Sequence, residues 1–328
     1  MSLTVKCNPY LSIHAILGYP SKRPNKTPSP SRPFEEILIL RLRSLLPIPK
    51  PPPSISFHWL SRAVDLLALT LADAAALFSD PALSGADPAG LASHLDASVS
   101  LLDACNAASA EIERLRRGRL RLRFSLHLLA GDGHGLPPSP DRVRRARKAI
   151  EEWETLPRRV IRGHAGNLIR RLAPGEPPRG KFSAVRRALY AVEGVACLVM
   201  AAIVAVLSGG EQGALTGVRM SDEFPWGEAF DEVRAAVSGH LGAGFSGEVE
   251  AVEAAVRAVV GVIDGEGDEE KPARLGSAVV ELEKATEELT YGLDRLSDAV
   301  NALFRAAMNT RDAALHCLRI LVPRSVNR

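Results

Sequence analysis

Few residues of this chain have the types and spacing that enzyme chemistry requires. The sequence contains no GxxxxGK[ST] phosphate loop, no zinc-binding HExxH motif and no GxSxG nucleophile elbow. Gly131–Gly135 is glycine-rich, but it follows a predicted helix rather than a strand, so we interpret it as a loop. The segment Asp264–Asp268 begins like a calcium loop, but Glu269 and Leu275 replace the glycine and the glutamate that such a loop needs. We therefore predict no catalytic, metal or cofactor site.

The cysteines give no sign of a metal site or a disulfide framework. Cys7, Cys105, Cys197 and Cys317 stand far apart, and no two of them have CxxC spacing. This usage fits a reducing compartment. Cys317 continues a heptad pattern described below, so we expect a buried thiol there rather than a ligand.

An arginine-rich block carries the binding chemistry that the sequence does suggest. Its eleven cations are Arg114, Arg116, Arg117, Arg119, Arg121, Arg123, Arg142, Arg144, Arg145, Arg147 and Lys148. Guanidinium groups on two helical faces could bind the anionic head groups of a membrane surface. A nucleic-acid partner is not expected, because aromatic residues do not alternate with the arginines and no known binding motif is present.

The charge of the chain is distributed unevenly. The 328 residues have a formal net charge of +3, but residues 114–187 carry 20 Lys/Arg against 6 Asp/Glu, and residues 211–328 carry 12 against 21. Two interpretations follow. The basic and acidic parts attract each other within one molecule, or the basic block has an external anionic partner.

The elements that must position these residues are helices. Hydrophobic residues make up 46% of the chain and aromatic residues only 5%, which favours an aliphatic core. Helical periodicity predicts helices over 34–46, 57–78 and 88–129, with Asp87 as the N-cap and Pro88 in the first turn of the third. Further helices are predicted from Pro140 and over 181–207, 222–240 and 247–263. No strand-like alternation competes, so the predicted fold is all-α: an elongated helical bundle with long antiparallel helices.

The C-terminal helix has a coiled-coil-like pattern, which we call the heptad seam. Its positions are Leu275, Val279, Leu282, Thr286, Leu289, Leu293, Leu296, Val300, Leu303, Ala307 and Thr310. Alternating spacings of four and three keep one stripe facing a partner helix. We favour the helix over 91–129 of the same chain as that partner, while another protein or a second copy remains the alternative.

One apolar stretch raises the question of a membrane span. Ala188–Leu207 is 20 residues long, with Glu193 as its one charged residue. That length suffices to cross a bilayer, and the cations that precede the stretch would place its N-terminal side in the cytoplasm. A span would separate the heptad seam from its partner within the chain, so we favour a central core helix. The protein is then either cytoplasmic or membrane-associated.

The N-terminal residues have a different composition. Residues 1–33 contain no acid, five Lys/Arg and several Ser and Pro, which predicts an extended or disordered tail. An acid-free, serine-bearing start is also typical of an organelle transit peptide, so a chloroplast location is the alternative. Residues 34–328 are predicted to form one continuous helical domain.

Several stretches resemble the plant BYPASS family, whose members share an uncharacterised helical domain. The matching sequences are FEEILILRLRSLLP at 34–47, WLSRAVDLL at 59–67, SVSLLDACNAASAEIERLRRGRLRLRF at 98–124, GVACLVMAAIVAVLSGG at 194–210 and LDRLSDAVNALFRAAMNTRDAALHCLR at 293–319. The resemblance implies a non-enzymatic role in root and shoot development, limiting a root-derived mobile signal that arrests shoot growth. It carries over no catalytic residue.

Three molecular roles agree with these observations. The first, which we favour, is a helical binding or scaffold protein that uses the arginine-rich block and the heptad seam. An enzyme or metabolite-binding protein acting on the precursor of the signal would instead need a pocket with convergent polar groups. An adaptor for membrane traffic would need a protein partner at the C-terminal helix.

Overall fold

The computed structural model describes residues 32–46, 55–80, 87–130, 138–155, 162–175, 183–208, 220–221, 223–241, 246–266 and 269–321. Within these ranges the chain forms nine helices and no strand, which confirms the all-α prediction. The helices are α1 Arg32–Ser44, α2 Phe57–Ser79, α3 Pro88–Leu129, α4 Pro140–Glu154, α5 Arg162–Leu172, α6 Ala184–Ser208, α7 Gly227–Leu241, α8 Gly247–Asp264 and α9 Lys271–Leu321. Residues 1–31, which form most of the predicted tail, and Gly131–Gly135 lie outside the described residues.

Hydroxyl and carboxylate side chains begin several of these helices. The Asp87 carboxylate accepts the Gly90 N–H at 2.8 Å, and Pro88 occupies the first turn, as predicted for α3. Ser56, Ser139 and Ser246 cap α2, α4 and α8 in the same way. Each cap satisfies a backbone donor that the helix itself leaves free.

α9 is the axis around which the long helices pack. It runs for 51 residues, and every position of the heptad seam is buried except Val279, which is half-buried. α2, α3 and α8 are its principal neighbours. The seam therefore faces helices of the same chain, and a partner at α9 would have to use another face.

The contacts along α9 fix the direction of α3. Arg116 pairs with Asp294 at 2.7 Å, whereas the Arg311 guanidinium donates to the Leu95 carbonyl at 2.7 Å and to the Ser98 hydroxyl at 3.0 Å. The start of α3, at Leu95 and Ser98, thus lies beside Arg311 near the end of α9. Arg116, farther along α3, lies beside Asp294, which comes earlier in α9. The two longest helices are thus antiparallel neighbours, as predicted.

α6 is the most deeply buried helix. Every residue from Ala188 to Leu207 is buried except Glu193, which is half-buried. α2, α3, α5 and α7 pack around it, and Arg186 at its start lies 3.1 Å from Asp87 at the start of α3. By length and composition α6 could also cross a membrane.

The structure differs from the sequence-based expectation in one additional helix and in the first residue of another. α5 was not expected, because its eleven residues carry too few apolar positions to show a period. α7 begins at Gly227 rather than at residue 222. The Phe224 N–H bonds to the Ser221 carbonyl and the Gly227 N–H to the Phe224 carbonyl, so consecutive turns occupy the expected first helical turn.

Candidate binding surfaces on α3 and α4

The fold brings the two arginine runs of the sequence side by side. The Arg142 guanidinium donates to the carbonyls of Leu128, at 3.0 Å, and His127, at 2.9 Å. Farther along, Arg121 lies 3.2 Å from Glu152. α4 therefore runs antiparallel to the C-terminal half of α3, and all eleven predicted cations fall on this pair of helices.

Acidic residues of the same chain neutralise about half of these cations. The pairs are Arg114 with Glu111, Arg116 with Glu113 and Asp294, Arg121 with Glu152, Arg144 with Asp141, and Arg147 with Asp264, Glu151 and Glu154. Two of the acids, Asp264 and Asp294, belong to the acidic C-terminal part. The basic and acidic parts of the chain are therefore joined by two ion pairs, Arg116 with Asp294 and Arg147 with Asp264.

The remaining cations are either half-buried or exposed. Arg142 is engaged with backbone carbonyls, and Arg119 is half-buried, with its Nε atom shielded from solvent. Arg117, Arg123 and Lys148 are exposed and form no ion pair within the described part of the chain. These three are available to an external anion.

Apolar side chains lie between the available cations on α3. Leu120 is 57% exposed and Phe124 46% exposed, at helical spacing from Arg117. The Arg145 guanidinium of α4 lies over the Phe124 ring, 5.8 Å from its centroid. We call Arg117, Leu120, Arg123, Phe124 and Arg145 the α3 face. Leu120 and Phe124 were not among the predicted site residues, although their placement one turn apart beside arginines is visible in the sequence.

A pocket opens beside α4, where α3 and α8 end and α9 begins. Its volume is about 1220 Å³. Leu129, Val143, Ile263, Leu275 and Val279 provide apolar lining. The charged lining residues are the cations Arg144, Arg147, Lys148 and Lys271 and the acids Glu151 and Glu283. We call this cavity the α4–α9 pocket. No local sequence pattern predicts this pocket, because its walls come from four separate segments.

The candidate chemistry of cysteine and metal sites finds no support in the described residues. Burial raises the pKa of Cys105 and of Cys197 to about 12, so both thiols stay protonated and poorly nucleophilic. Cys317 is buried, as expected. The described residues contain no group of three His, Cys, Asp or Glu residues arranged to hold a metal ion.

Comparisons with known proteins identify plant relatives. The chain is 33% identical over 270 residues to UPF0496 protein 4 from rice, Oryza sativa, in both the indica and the japonica subspecies. The match covers 76% of this chain, and the chain spans only 58% of the length of the rice proteins.

A second relative covers more of the chain. Protein BPS1, chloroplastic, from Arabidopsis thaliana is 29% identical over 303 residues, which are 87% of this chain and 82% of that protein. No protein-family model matches the chain, and no solved structure matches it significantly. The similarities to the rice and Arabidopsis proteins support a relationship to a BYPASS-related family of plant proteins.

Proposed function

We propose that the protein is a regulator of plant root and shoot development that acts by binding rather than by catalysis. The similarity to protein BPS1 supports a BYPASS-like developmental role. The family resemblance implies that this role is to limit a root-derived mobile signal that arrests shoot growth.

The α3 face is the observation that carries the binding role. Arg117 and Arg123 stay free of ion pairs within the described chain, and Leu120 and Phe124 are exposed beside them. A surface that mixes cations with apolar side chains fits the interface of an anionic membrane. The cations meet the head groups there, and the apolar groups enter the acyl boundary. Each cation contributes about 1 kcal/mol near such a surface.

The proposed partner is therefore the anionic surface of a membrane, bound peripherally. Co-sedimentation with phosphatidylcholine vesicles, with and without phosphatidylserine, tests the proposal on the full chain. We expect binding only to the vesicles with phosphatidylserine, and loss of that binding as salt is added, because salt screens exposed charges.

Substitutions assign the binding to the α3 face. The triple variant Arg117→Ala/Arg123→Ala/Arg145→Ala should lose most of its vesicle binding, since about 3 kcal/mol of attraction is removed. A matched variant, Lys284→Ala/Arg305→Ala, removes exposed cations of α9 and should bind as the unchanged protein does. Equal binding by the triple variant, or no binding by the unchanged protein, would refute the proposal.

A separate experiment tests the cellular compartment in which the protein is located. The name of the Arabidopsis relative contains the word chloroplastic, and the acid-free residues 1–33 agree with import into that organelle. A fluorescent fusion to the C-terminus of the full chain should accumulate in chloroplasts under this alternative. A fusion that lacks residues 1–33 should then remain in the cytoplasm.

A further inference from the structure

The α4–α9 pocket has the chemical character of a site for an aliphatic molecule. Leu129 and Leu275 are buried in its wall, Val143, Ile263 and Val279 are half-buried there, and Val280 is 61% exposed at its opening. The described lining contains no aromatic residue. A flat aromatic ligand would therefore find no ring to stack on, whereas a flexible hydrocarbon chain can follow this wall.

The size of the pocket agrees with a ligand of substantial length. At about 1220 Å³ it exceeds the range of about 300–1000 Å³ that is usual for drug-sized ligands. Val280 lines the pocket and is 61% exposed, so the pocket reaches solvent at this residue. A long molecule can thus lie inside while one end stays in contact with water.

The charged residues of the lining indicate which chemical group the water-exposed end of the ligand carries. Lys271 donates to the carbonyls of Ile263 and Gly265, and Arg147 pairs with Asp264. Lys148 has no ion pair within the described part of the chain, and Arg144 pairs only with the exposed Asp141. Two carboxylates also line the pocket: Glu151 pairs with Arg147, and Glu283 of α9 forms no ion pair within the described part of the chain. An anionic group is therefore favoured on the α4 wall, where it meets one free and one weakly engaged cation, and not beside Glu283 on the α9 wall.

From the aliphatic wall and these two cations we propose that the α4–α9 pocket binds a long-chain fatty acid. The hydrocarbon chain lies against Leu129, Leu275 and Val279, and the carboxylate lies at the opening beside Arg144 and Lys148. None of the five residues of the α3 face lines this pocket.

Titration calorimetry of the full chain with oleate tests the site. We expect saturable binding with a stoichiometry near one. Val280→Glu places a negative charge at the opening without touching the core, and it should weaken oleate binding at least about tenfold. Because Val280 is exposed, this variant should fold as the unchanged protein does, which circular dichroism verifies.

A pair of charge reversals separates recognition of the head group from recognition of the chain. Lys148→Glu should weaken oleate binding about fivefold or more, and oleyl alcohol, which lacks the charge, should bind both proteins equally. Lys284→Glu makes the same reversal on an exposed residue of α9 outside the pocket and should change neither affinity.

The outcomes of these titrations decide the proposal. No saturable binding of oleate, or equal weakening by Lys148→Glu and Lys284→Glu, would overturn it. Retention of oleate binding by the triple variant of the α3 face is expected, because the two surfaces are distinct. Loss of binding in that variant would assign the fatty acid to the membrane-docking surface and would also overturn the pocket proposal.

Discussion

At the scale of single residues, His94 is the side chain whose protonation most affects the fold. It is 2% exposed, lies edge-on to Phe78 with ring centroids 5.8 Å apart, and neither ring nitrogen has a hydrogen-bond partner in the described chain. Burial, and to a smaller extent the charge of Arg311, lower the pKa of His94 to about 4. The folded protein therefore holds a neutral imidazole at neutral pH.

This histidine predicts a loss of stability in mild acid. Above about pH 6.5 the ring is neutral in both states, and below that value the unfolded chain binds a proton that the folded chain excludes until about pH 4. The free energy of unfolding should fall by roughly 2 kcal/mol between pH 7 and pH 5 from this residue alone. Urea unfolding of the unchanged protein and of His94→Leu at both pH values measures it. The variant should lack this component, and parallel pH dependences would contradict the prediction.

At the scale of helices, Gly292 sets how closely α2 and α8 approach α9. A Cβ atom at Gly292 would lie 3.1 Å from the Phe57 side chain and 3.5 Å from a carboxylate oxygen of Glu248. The same Glu248 oxygen accepts the Phe57 N–H at 2.9 Å, so three helices meet at this point. Burial raises the pKa of Glu248, since several hydrogen bonds to its carboxylate only partly offset the desolvation.

Two glycine substitutions in α9 should therefore have opposite effects. Gly292→Leu forces Phe57 and α2 away from α9 and should lower the free energy of unfolding by about 1–3 kcal/mol. A Cβ atom at Gly276 meets nothing within 4 Å, so Gly276→Ala should raise that free energy by about 0.5–1 kcal/mol through helix propensity. Urea unfolding of both variants measures the contrast. Equal effects would show that α2 does not pack closely at Gly292.

The helices show what the sequence could predict and what it could not. The heptad seam and the Asp87 cap were visible because each is a pattern within one helix, and the structure confirms both. The α4–α9 pocket depends on distances between four segments that no local pattern encodes. The arginine-rich block was predictable only in part. Its residues were identified, but which of them acids neutralise depends on Asp264 and Asp294, more than 100 residues away.

At the scale of the molecule, the uneven charge of the chain is only partly compensated by the fold. Arg116 with Asp294 and Arg147 with Asp264 join the basic and acidic parts, and the acidic partners are about half-exposed. Exposed pairs of this kind contribute about 0–1 kcal/mol each. Their main effect is to reduce the positive field of α3 and α4. The exposed cations without an ion pair in the described chain, which are Arg117, Arg123, Arg145 and Lys148, are left to attract an external anion.

The burial of α6 favours a protein that is not anchored by a span. Moving α6 into a bilayer would expose the apolar faces of α2, α3, α5 and α7 that now cover it, and would place Glu193 near the membrane. Burial already raises the pKa of Glu193, while the nearby charge of Arg186 lowers it. We therefore infer that the apolar length of α6 serves the core of the bundle.

Alkaline carbonate extraction of membranes from cells that express the full chain tests this inference. The unchanged protein should be released, because a peripheral protein is held by charges and a shallow apolar contact rather than by a helix across the bilayer. Ala202 is fully buried, so Ala202→Asp places an unpaired charge in the core and should destabilise the fold by about 3 kcal/mol or more. Leu69 is 52% exposed, and Leu69→Asp should change stability by less than about 0.5 kcal/mol. Resistance of the unchanged protein to carbonate would instead establish α6 as a membrane span.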